Sequence, residues 1–212
     1  PFGTVTGRNN PSTTKAAFGL PRWMRGLIQP EPGTGLSYID WSQQEFGIAA
    51  ALSRDPEMQA AYKSGDPYLS FAKQAGAAPP DASKTSHPDI RELYKTCSLA
   101  VQYQMTAQGL SRRLEKPLHE AQSLLDQHKR LYGRYWEWIE RVSDHAFLTK
   151  EMTACFGWRL NVSSQTKPRT VANFQMQANG AEMLRLALIF WMKRGWMGAQ
   201  TSTPFSSAKM RA

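Results

Sequence analysis

The spacing of apolar residues divides the chain into an irregular first part and a largely helical remainder. Residues 1–35 are rich in Gly, Pro, Ser and Thr and carry few regularly spaced apolar side chains, which predicts extended loop with short strands around Trp23 to Ile28. The run Leu36 to Asp40 predicts a strand, and the spacing from Gln43 to Arg54 predicts a helix. Asp40 is therefore expected where a strand meets a helix.

Prolines mark the starts of the next helices. Asp55-Pro56 and Asp66-Pro67 each place a capping side chain before a proline, which predicts a short helix after each pair. The Gly-, Ala-, Pro- and Ser-rich segment Ala75 to Ser86 is typical of a linker. His87-Pro88 then predicts a helix that runs to about Met105.

The second half of the chain is mainly helical in pattern. Apolar side chains recur every three or four residues from Pro117 to Phe147, which predicts one long amphipathic helix. Gly157 interrupts the helical pattern and predicts a hairpin within Thr153 to Val162, before Phe174 to Arg194 returns to a helix that is apolar on most sides. The expected fold class is therefore α+β and predominantly helical.

The composition favours a folded domain with a polyanionic partner. The 212 residues are 41% apolar, and 26 Lys and Arg outweigh 17 Asp and Glu to give a net charge of +9. Nucleic acid is the commonest partner of such a protein, and an acidic membrane surface also fits. The most apolar run, Leu184 to Met192, contains Arg185 and is too short to span a bilayer, so we expect no membrane segment.

The cysteines indicate the cellular compartment, and the first residue indicates whether the chain is a fragment. Cys97 and Cys155 have no CxxC spacing and predict neither a zinc site nor a disulfide framework, so a reducing cytoplasm is expected. The chain begins at Pro1 without a methionine or a leader, and we expect it to be a fragment.

Two local patterns carry candidate chemistry. Asp40 offers a carboxylate to a hard cation, and Mg²⁺ sites for phosphoryl transfer use one or two carboxylates with substrate phosphates; an Asp in this position also commonly caps the following helix. Arg91, Lys95, Leu99 and Tyr103 lie four residues apart on one helix face, which could receive the phosphates and base of a nucleotide. An ordinary solvated basic face gives the same pattern.

Four motifs follow one another along nearly the whole chain: Thr6-Gly7-Arg8, Asp40-Trp41-Ser42-Gln43-Gln44-Glu45, Arg91-x3-Lys95-x7-Tyr103 and Arg169-x3-Asn173-x3-Gln177. Their order resembles that of the family A DNA polymerases, the DNA polymerase I type, with the phage-like branch most similar. Motif A of that family reads Asp-Tyr-Ser-Gln-x-Glu, and here only its tyrosine is replaced, by Trp41.

The resemblance implies a role for each residue of motif A. Asp40 would be a catalytic aspartate that binds both Mg²⁺ ions of a two-metal phosphoryl transfer. The backbone carbonyls of Ser42 and Gln43 would flank the metal and the triphosphate. Glu45 would be the steric gate that favours deoxyribonucleotides.

The remaining motifs would bind the two substrates. By resemblance, Arg91 and Lys95 hold the triphosphate and stabilise the leaving pyrophosphate, with Lys95 a candidate proton donor, and Tyr103 lies at the templating base. Leu99 stands where the family usually has an aromatic ring that stacks on the nucleotide. Contacts to the primer–template DNA would come from Arg8, Arg169, Asn173 and Gln177.

The end of the chain departs from the family. The glycine that normally follows the tyrosine is Gln104, and the segment after Gly195 contains no Asp, Glu or His. Motif C, whose aspartate is the second metal ligand of the family, is therefore absent, and the metals should bind poorly.

Together these features predict a partial right-hand polymerase made of palm and fingers. The expected divisions are a palm portion with motif A at 1–65, fingers at 66–150 with the nucleotide-binding helix at about 88–105, a return to the palm at 151–195, and an atypical tail at 196–212. The expected function is template-directed DNA synthesis in a bacterial or phage-infected cell, by a fragment that is itself weakly active or inactive. A non-catalytic DNA-binding relic and, less favoured because of Glu45, a single-subunit RNA polymerase remain as alternatives.

Overall fold

The computed structural model describes residues 4–10, 21–35 and 40–193, and this part of the chain is mostly helical. Its one hairpin pairs Met152 with Leu160 in antiparallel register. The elements are α1 (Gln44–Ser53), α2 (Pro56–Lys63), α3 (Pro67–Gln74), α4 (Pro88–Gln102), α5 (Ala107–Leu114), α6 (Leu118–Leu131), α7 (Gly133–Thr149), β1 (Glu151–Thr153), β2 (Arg159–Asn161) and α8 (Pro168–Lys193).

Capping side chains start several helices as the sequence predicts. The Asp55 carboxylate accepts a hydrogen bond from the Met58 amide at 3.0 Å, and the Asp66 carboxylate accepts one from the Leu69 amide at 3.2 Å. Each aspartate is followed by a proline at the first helical position, where no amide hydrogen is needed. Thr106 caps α5, a helix that the apolar pattern did not predict, by accepting from the amide of Gly109 at 3.2 Å.

The single helix predicted from Pro117 to Phe147 is wrong, because the backbone breaks at Tyr132. This residue ends α6 and precedes α7 with φ −109° and ψ 51°, outside the helical region. Its ring is fully buried and meets the rings of Phe46 and Phe71 at centroid distances of 5.9 and 5.7 Å. Packing of this ring in the core thus accompanies a break between two helices that periodicity alone does not reveal.

The short strands predicted around Trp23 to Ile28 are also not observed. Residues Arg22–Leu27 form a 3-10 helix, in which the Met24 amide donates to the Pro21 carbonyl at 2.9 Å. Proline fixes its own φ in the range that such a turn requires, which explains the tighter structure here. The predicted strand before Asp40 falls on residues 36–39, which lie outside the described residues.

Two apolar cores hold the fold together. The larger one contains side chains from each of the helices α1 through α7 and from the first half of α8, and the smaller one lies between the hairpin, α7 and α8. The larger core crosses the expected palm–fingers boundary at residue 65, so that division stays a prediction. Within the part of the chain that the structure covers, no helix is both long and apolar enough to cross a membrane.

Buried polar side chains lie inside the larger core. Asp55 is 1% exposed, and its second carboxylate oxygen accepts a hydrogen bond from the Tyr135 amide at 3.1 Å. His128 is also 1% exposed, and its Nδ1 accepts from the Trp136 indole at 3.2 Å. These contacts join the start of α2 to α7, and α6 to α7, in the region of the backbone break.

We expect the protein to lose stability in mild acid because His128 is buried. Burial lowers the pKa of His128 to about 3, whereas the unfolded histidine titrates near 6.5. The unfolded state therefore binds more protons between these values, and the free energy of unfolding should fall by about 2 kcal/mol between pH 7 and pH 5 through this residue. Urea unfolding at both pH values measures the loss.

His128→Gln should reduce this dependence, because glutamine does not titrate and retains an acceptor for the Trp136 indole. His145→Gln is the matched control, since His145 is exposed. An equal pH dependence in the wild type and in His128→Gln would contradict the expectation.

Candidate functional site

The start of α1 brings together three of the residues singled out in the sequence. The Glu45 carboxylate, in the first turn of α1, accepts a hydrogen bond from the Tyr103 hydroxyl at 3.4 Å and forms an ion pair with the Arg8 guanidinium at 3.5 Å. Tyr103 follows the last residue of α4, and Arg8 lies in the N-terminal segment. Glu45 is thus the meeting point of three separate parts of the chain.

The position of Arg8 depends on contacts that the sequence did not reveal. The indole of Trp158 donates to the Val5 carbonyl at 2.9 Å, and Arg185 donates to the Gly7 carbonyl. The Arg185 guanidinium also lies over the Trp158 ring, 5.6 Å from its centroid. A Cβ on Gly7 would come within 2.9 Å of the Trp158 ring, so this close approach requires glycine. One signal was present in the sequence, namely an arginine inside an otherwise apolar run.

A second group of charged residues lies where α3 meets α4. Arg91 Nε donates to a carboxylate oxygen of Asp66, and the Arg91 guanidinium carbon is 5.5 Å from the centroid of the Tyr68 ring. Tyr68 is 6% exposed and packs edge-on against Phe46 of α1 at a centroid distance of 6.4 Å. Asp66 and Tyr68 therefore support one of the predicted site residues, a role that the sequence reading did not assign to them.

The electrostatics connect this group to the start of α1. Burial raises the pKa of Tyr68, Arg91 acts in the opposite direction, and the carboxylates of Asp66, Glu45 and Glu92 raise it further. The geometry agrees, because Tyr68 packs against Phe46, the neighbour of Glu45, and the Arg91 guanidinium lies over the Tyr68 ring. The predicted Arg91 and Glu45 therefore belong to one region of the surface.

The rest of the α4 face is arranged as its spacing predicts. Lys95 lies one turn beyond Arg91, and its ammonium pairs with the Glu92 carboxylate at 2.9 Å. Leu99 lies a further turn along and is half-buried, so it presents an aliphatic surface and no aromatic ring. Tyr103, at the end of the face, is 41% exposed. This face carries cations at one end and an exposed aromatic ring at the other.

Motif A begins in the described residues at Asp40, which is exposed and outside regular structure. The Ser42 carbonyl accepts a hydrogen bond from the Tyr62 hydroxyl at 3.3 Å, and Gln43 adopts a left-handed conformation with φ 44° before α1. Over the described ranges, no group of three or more His, Cys, Asp and Glu side chains could hold a metal ion. Asp40 alone can share one Mg²⁺ with substrate phosphates, which usually complete such a shell.

The predicted DNA-contacting residues of α8 are distributed along one helix face. The Gln44 side chain donates to the Gly180 carbonyl at 3.2 Å, which places the turn containing Gln177 near the start of α1. Asn173 lies one turn earlier, and its Oδ1 is buried without a hydrogen-bond partner among the described residues. Arg169 is exposed, about 16 Å along the helix axis from Gly180. No contact among the described residues joins Arg169 to Glu45, Arg8 or Tyr103.

Gln104 replaces a glycine expected from the resemblance, and its backbone conformation explains the preference. It follows the last turn of α4 with φ 51°. Its amide donates to the Val101 carbonyl at 2.9 Å, and the Met105 amide donates to the Ala100 carbonyl at 2.9 Å, which together form a Schellman motif. A non-glycine residue at this position carries a steric cost.

Gln104→Gly should therefore raise the free energy of unfolding by about 0.5–1 kcal/mol, as measured by urea unfolding. Glycine adopts this positive φ without strain. The substitution also removes the side-chain amide nitrogen of Gln104, which is buried and has no hydrogen-bond partner in the described part of the chain. Glu115→Gly is the control, because Glu115 has φ 54° in an exposed position. A Gln104→Gly protein less stable than the wild type would show that the glutamine side chain stabilises the turn.

The chain is similar in sequence to known polymerases over most of its length. The model of DNA polymerase family A matches residues 10–203. DNA polymerase I of Aquifex aeolicus is 29% identical over 199 residues, which cover 90% of this chain and 33% of the relative. The thermostable DNA polymerase I of Thermus thermophilus is 25% identical over 201 residues, which cover 88% of this chain and 24% of the relative.

The fold is similar to that of a solved polymerase domain. The POL domain of Pol1 from M. smegmatis, in complex with DNA primer-template and dNTP, matches with a TM-score of 0.72 and 24% identity, over 91% of this chain and 37% of that one. This confirms the expected fold class. The chain spans between a quarter and a third of the length of the curated relatives above, and because these are bacterial, the phage-like branch stays a prediction.

Proposed function

Because the chain belongs to DNA polymerase family A, we propose that it supplies the palm and fingers of a template-directed DNA polymerase. The reaction is transfer of a deoxynucleotide to the 3′-hydroxyl of a primer, and the substrates are primer–template DNA and deoxynucleoside triphosphates. The observation that carries the proposal is the meeting of Arg8 and Tyr103 at Glu45. Residues from three separate motifs thereby face one site.

The cationic face of α4 fits the triphosphate. Arg91 offers N–H donors in a fixed plane and Lys95 offers a compact positive charge, and both types of group bind phosphate oxygens. In the transition state these groups would stabilise the charge that develops on the leaving pyrophosphate, and Lys95 could give it a proton. Glu45 would act as the steric gate, a carboxylate that excludes a ribose 2′-hydroxyl.

The donor set at Asp40 fits one magnesium ion shared with the nucleotide. Asp40 would hold the ion together with triphosphate oxygens, and the ion would supply Lewis-acid stabilisation of the phosphoryl group. The complete polymerase is expected to use two ions. The residues that the structure describes contain no group of three or more His, Cys, Asp and Glu side chains that could hold a metal, so no step is assigned to a second ion.

The 212-residue chain by itself should bind its substrates and polymerise weakly or not at all. Primer–template contacts from Arg8, Arg169, Asn173 and Gln177 do not depend on the second carboxylate.

The segment after Gly195 contains no Asp, Glu or His, and this observation favours the second candidate function, a non-catalytic DNA-binding protein derived from a polymerase. A single-subunit RNA polymerase fits less well, because Glu45 would oppose ribonucleotides. The cytoplasm stays the predicted location.

Primer extension tests the proposal. We would incubate the protein with a primed template, Mg²⁺ and either deoxyribonucleotides or ribonucleotides. The proteins compared are residues 1–212 and longer versions in which the gene is translated past Ala212 in each of its three reading frames. We expect extension with deoxyribonucleotides by one extended form and little by residues 1–212. Primed-template binding without activity in every form would support the DNA-binding relic, and preference for ribonucleotides would support the RNA polymerase.

A further inference from the structure

The Asp66 carboxylate joins two helices that are separate in the sequence. One oxygen accepts a hydrogen bond from the Leu69 amide at 3.2 Å and so caps α3. The other oxygen accepts from Arg91 Nε, on α4, 25 residues further along the chain. A single carboxylate therefore completes the first turn of one helix and holds the guanidinium of the other.

The contacts of the Arg91 side chain fix the orientation of its guanidinium group. It is only 12% exposed, and the Asp66 side chain is 23% exposed. The guanidinium carbon lies over the buried ring of Tyr68, 5.5 Å from the ring centroid. Arginine has one N–H donor at Nε and four on its two Nη atoms, and the bond to Asp66 uses the Nε donor. Neither Nη group donates a hydrogen bond to a residue that the structure describes, so both can bind a further anion.

The neighbouring cation is held in a different way. Lys95 pairs with Glu92, which lies on the same helix three residues earlier, and these side chains are 34% and 60% exposed. Exposed pairs of this kind contribute little free energy and rearrange easily, and an ammonium has no fixed plane of donors. Glu92 thus neutralises Lys95 without fixing the direction of its hydrogen bonds.

Resting on the proposed function, we infer that Asp66 is a positioning residue for the nucleotide triphosphate. It holds Arg91 so that both Nη groups are directed to phosphate oxygens, and it restrains the guanidinium before the nucleotide arrives. Glu92 has no such role and competes with the triphosphate for Lys95.

The two carboxylates differ in the sign of their expected effect. A negative charge near a bound triphosphate weakens binding by repulsion, so if charge alone mattered, removing either carboxylate would tighten binding. If Asp66 positions Arg91, removing its charge should weaken binding, because the guanidinium loses its orientation. Only the positioning role gives opposite signs at Asp66 and Glu92.

Nucleotide titration of the full 212-residue chain decides between these roles. The protein is saturated with primed template whose primer ends in a dideoxynucleotide, and the Kd of the complementary deoxynucleoside triphosphate is measured by calorimetry. Asp66→Asn keeps an oxygen that can cap α3 but loses the charge that holds Arg91. We expect its Kd to rise about tenfold, whereas Glu92→Gln should lower the Kd.

Two further variants exclude indirect effects. Glu151→Gln removes an exposed carboxylate that pairs with Arg159 at 3.4 Å, away from the site, and should leave the Kd unchanged. Arg91→Lys removes the planar fork, so Asp66→Asn should cause no further loss of affinity in that background. A tighter or unchanged Kd for Asp66→Asn, or an equal loss in both backgrounds, overturns the positioning role.

The two proposals fail in different ways. If the wild type with primed template does not bind the nucleotide, the proposed function fails and the positioning role fails with it. If the wild type binds and Asp66→Asn binds equally well, only the positioning role fails. Inorganic tripolyphosphate, titrated in parallel, should show the same order of affinities if the effect acts through the phosphates.

Discussion

Asp40→Asn should lower the rate of primer extension by at least about a thousandfold in the form of the polymerase that is active, equal to roughly 4 kcal/mol of transition-state stabilisation. Asparagine has nearly the size of aspartate but lacks the charge that holds a magnesium ion against phosphate. Asp40 is exposed and lies outside both apolar cores, so folding should be unaffected. Single-turnover primer extension at several Mg²⁺ concentrations measures the effect.

Asp81→Asn is the control for this experiment, because Asp81 is an exposed carboxylate in the loop between α3 and α4. It should extend primers at the wild-type rate. Binding of primed template should be the same for the wild type and both variants, since no DNA contact is assigned to either aspartate. An Asp40→Asn polymerase that keeps its rate would remove Asp40 from the catalytic machinery.

Asp55→Ala should lower the free energy of unfolding by about 3 kcal/mol, the largest effect on stability that we expect from a single site. About 1 kcal/mol comes from loss of the cap on α2, and the remainder from leaving the buried Tyr135 amide without a partner. Because the carboxylate is charged, its two hydrogen bonds are stronger than neutral ones. Urea unfolding at pH 7 measures the change.

Two variants divide this effect into its parts. Thr106→Ala removes an exposed cap whose hydroxyl makes no second hydrogen bond to a described residue, so it should cost about 1 kcal/mol. Asp55→Asn keeps one acceptor oxygen, which can serve either the Met58 amide or the Tyr135 amide, and should fall between the wild type and Asp55→Ala. Equal losses for Asp55→Ala and Thr106→Ala would mean that the bond to Tyr135 contributes nothing to stability.

Local signals in the sequence predict the helix starts well. The two Asp-Pro pairs predict α2 and α3 because capping depends on neighbouring residues alone. The break at Tyr132 is not predicted, because apolar residues continue at helical spacing through it. At the break Tyr132 packs against Phe46 and Phe71, which are far away in the sequence. The local sequence pattern does not contain these tertiary contacts.

The candidate site shows the same limit. Resemblance named Arg8, Glu45 and Tyr103, and the structure brings them together. The resemblance did not identify Asp66 as the partner of Arg91, because capping of the following helix already explains an aspartate at this position. A residue that has two roles shows only the local one in its sequence context. The catalytic and DNA-binding roles themselves stay predictions.

The anchoring of the N-terminal segment determines when the site can form during folding. Val5 and Gly7 are bound by Trp158 and Arg185, across separations of 153 and 178 residues. Closing loops of this length costs chain entropy, and contacts so distant in sequence form after local helices. Arg8, although synthesised among the first residues, should reach Glu45 only after the hairpin and α8 have folded.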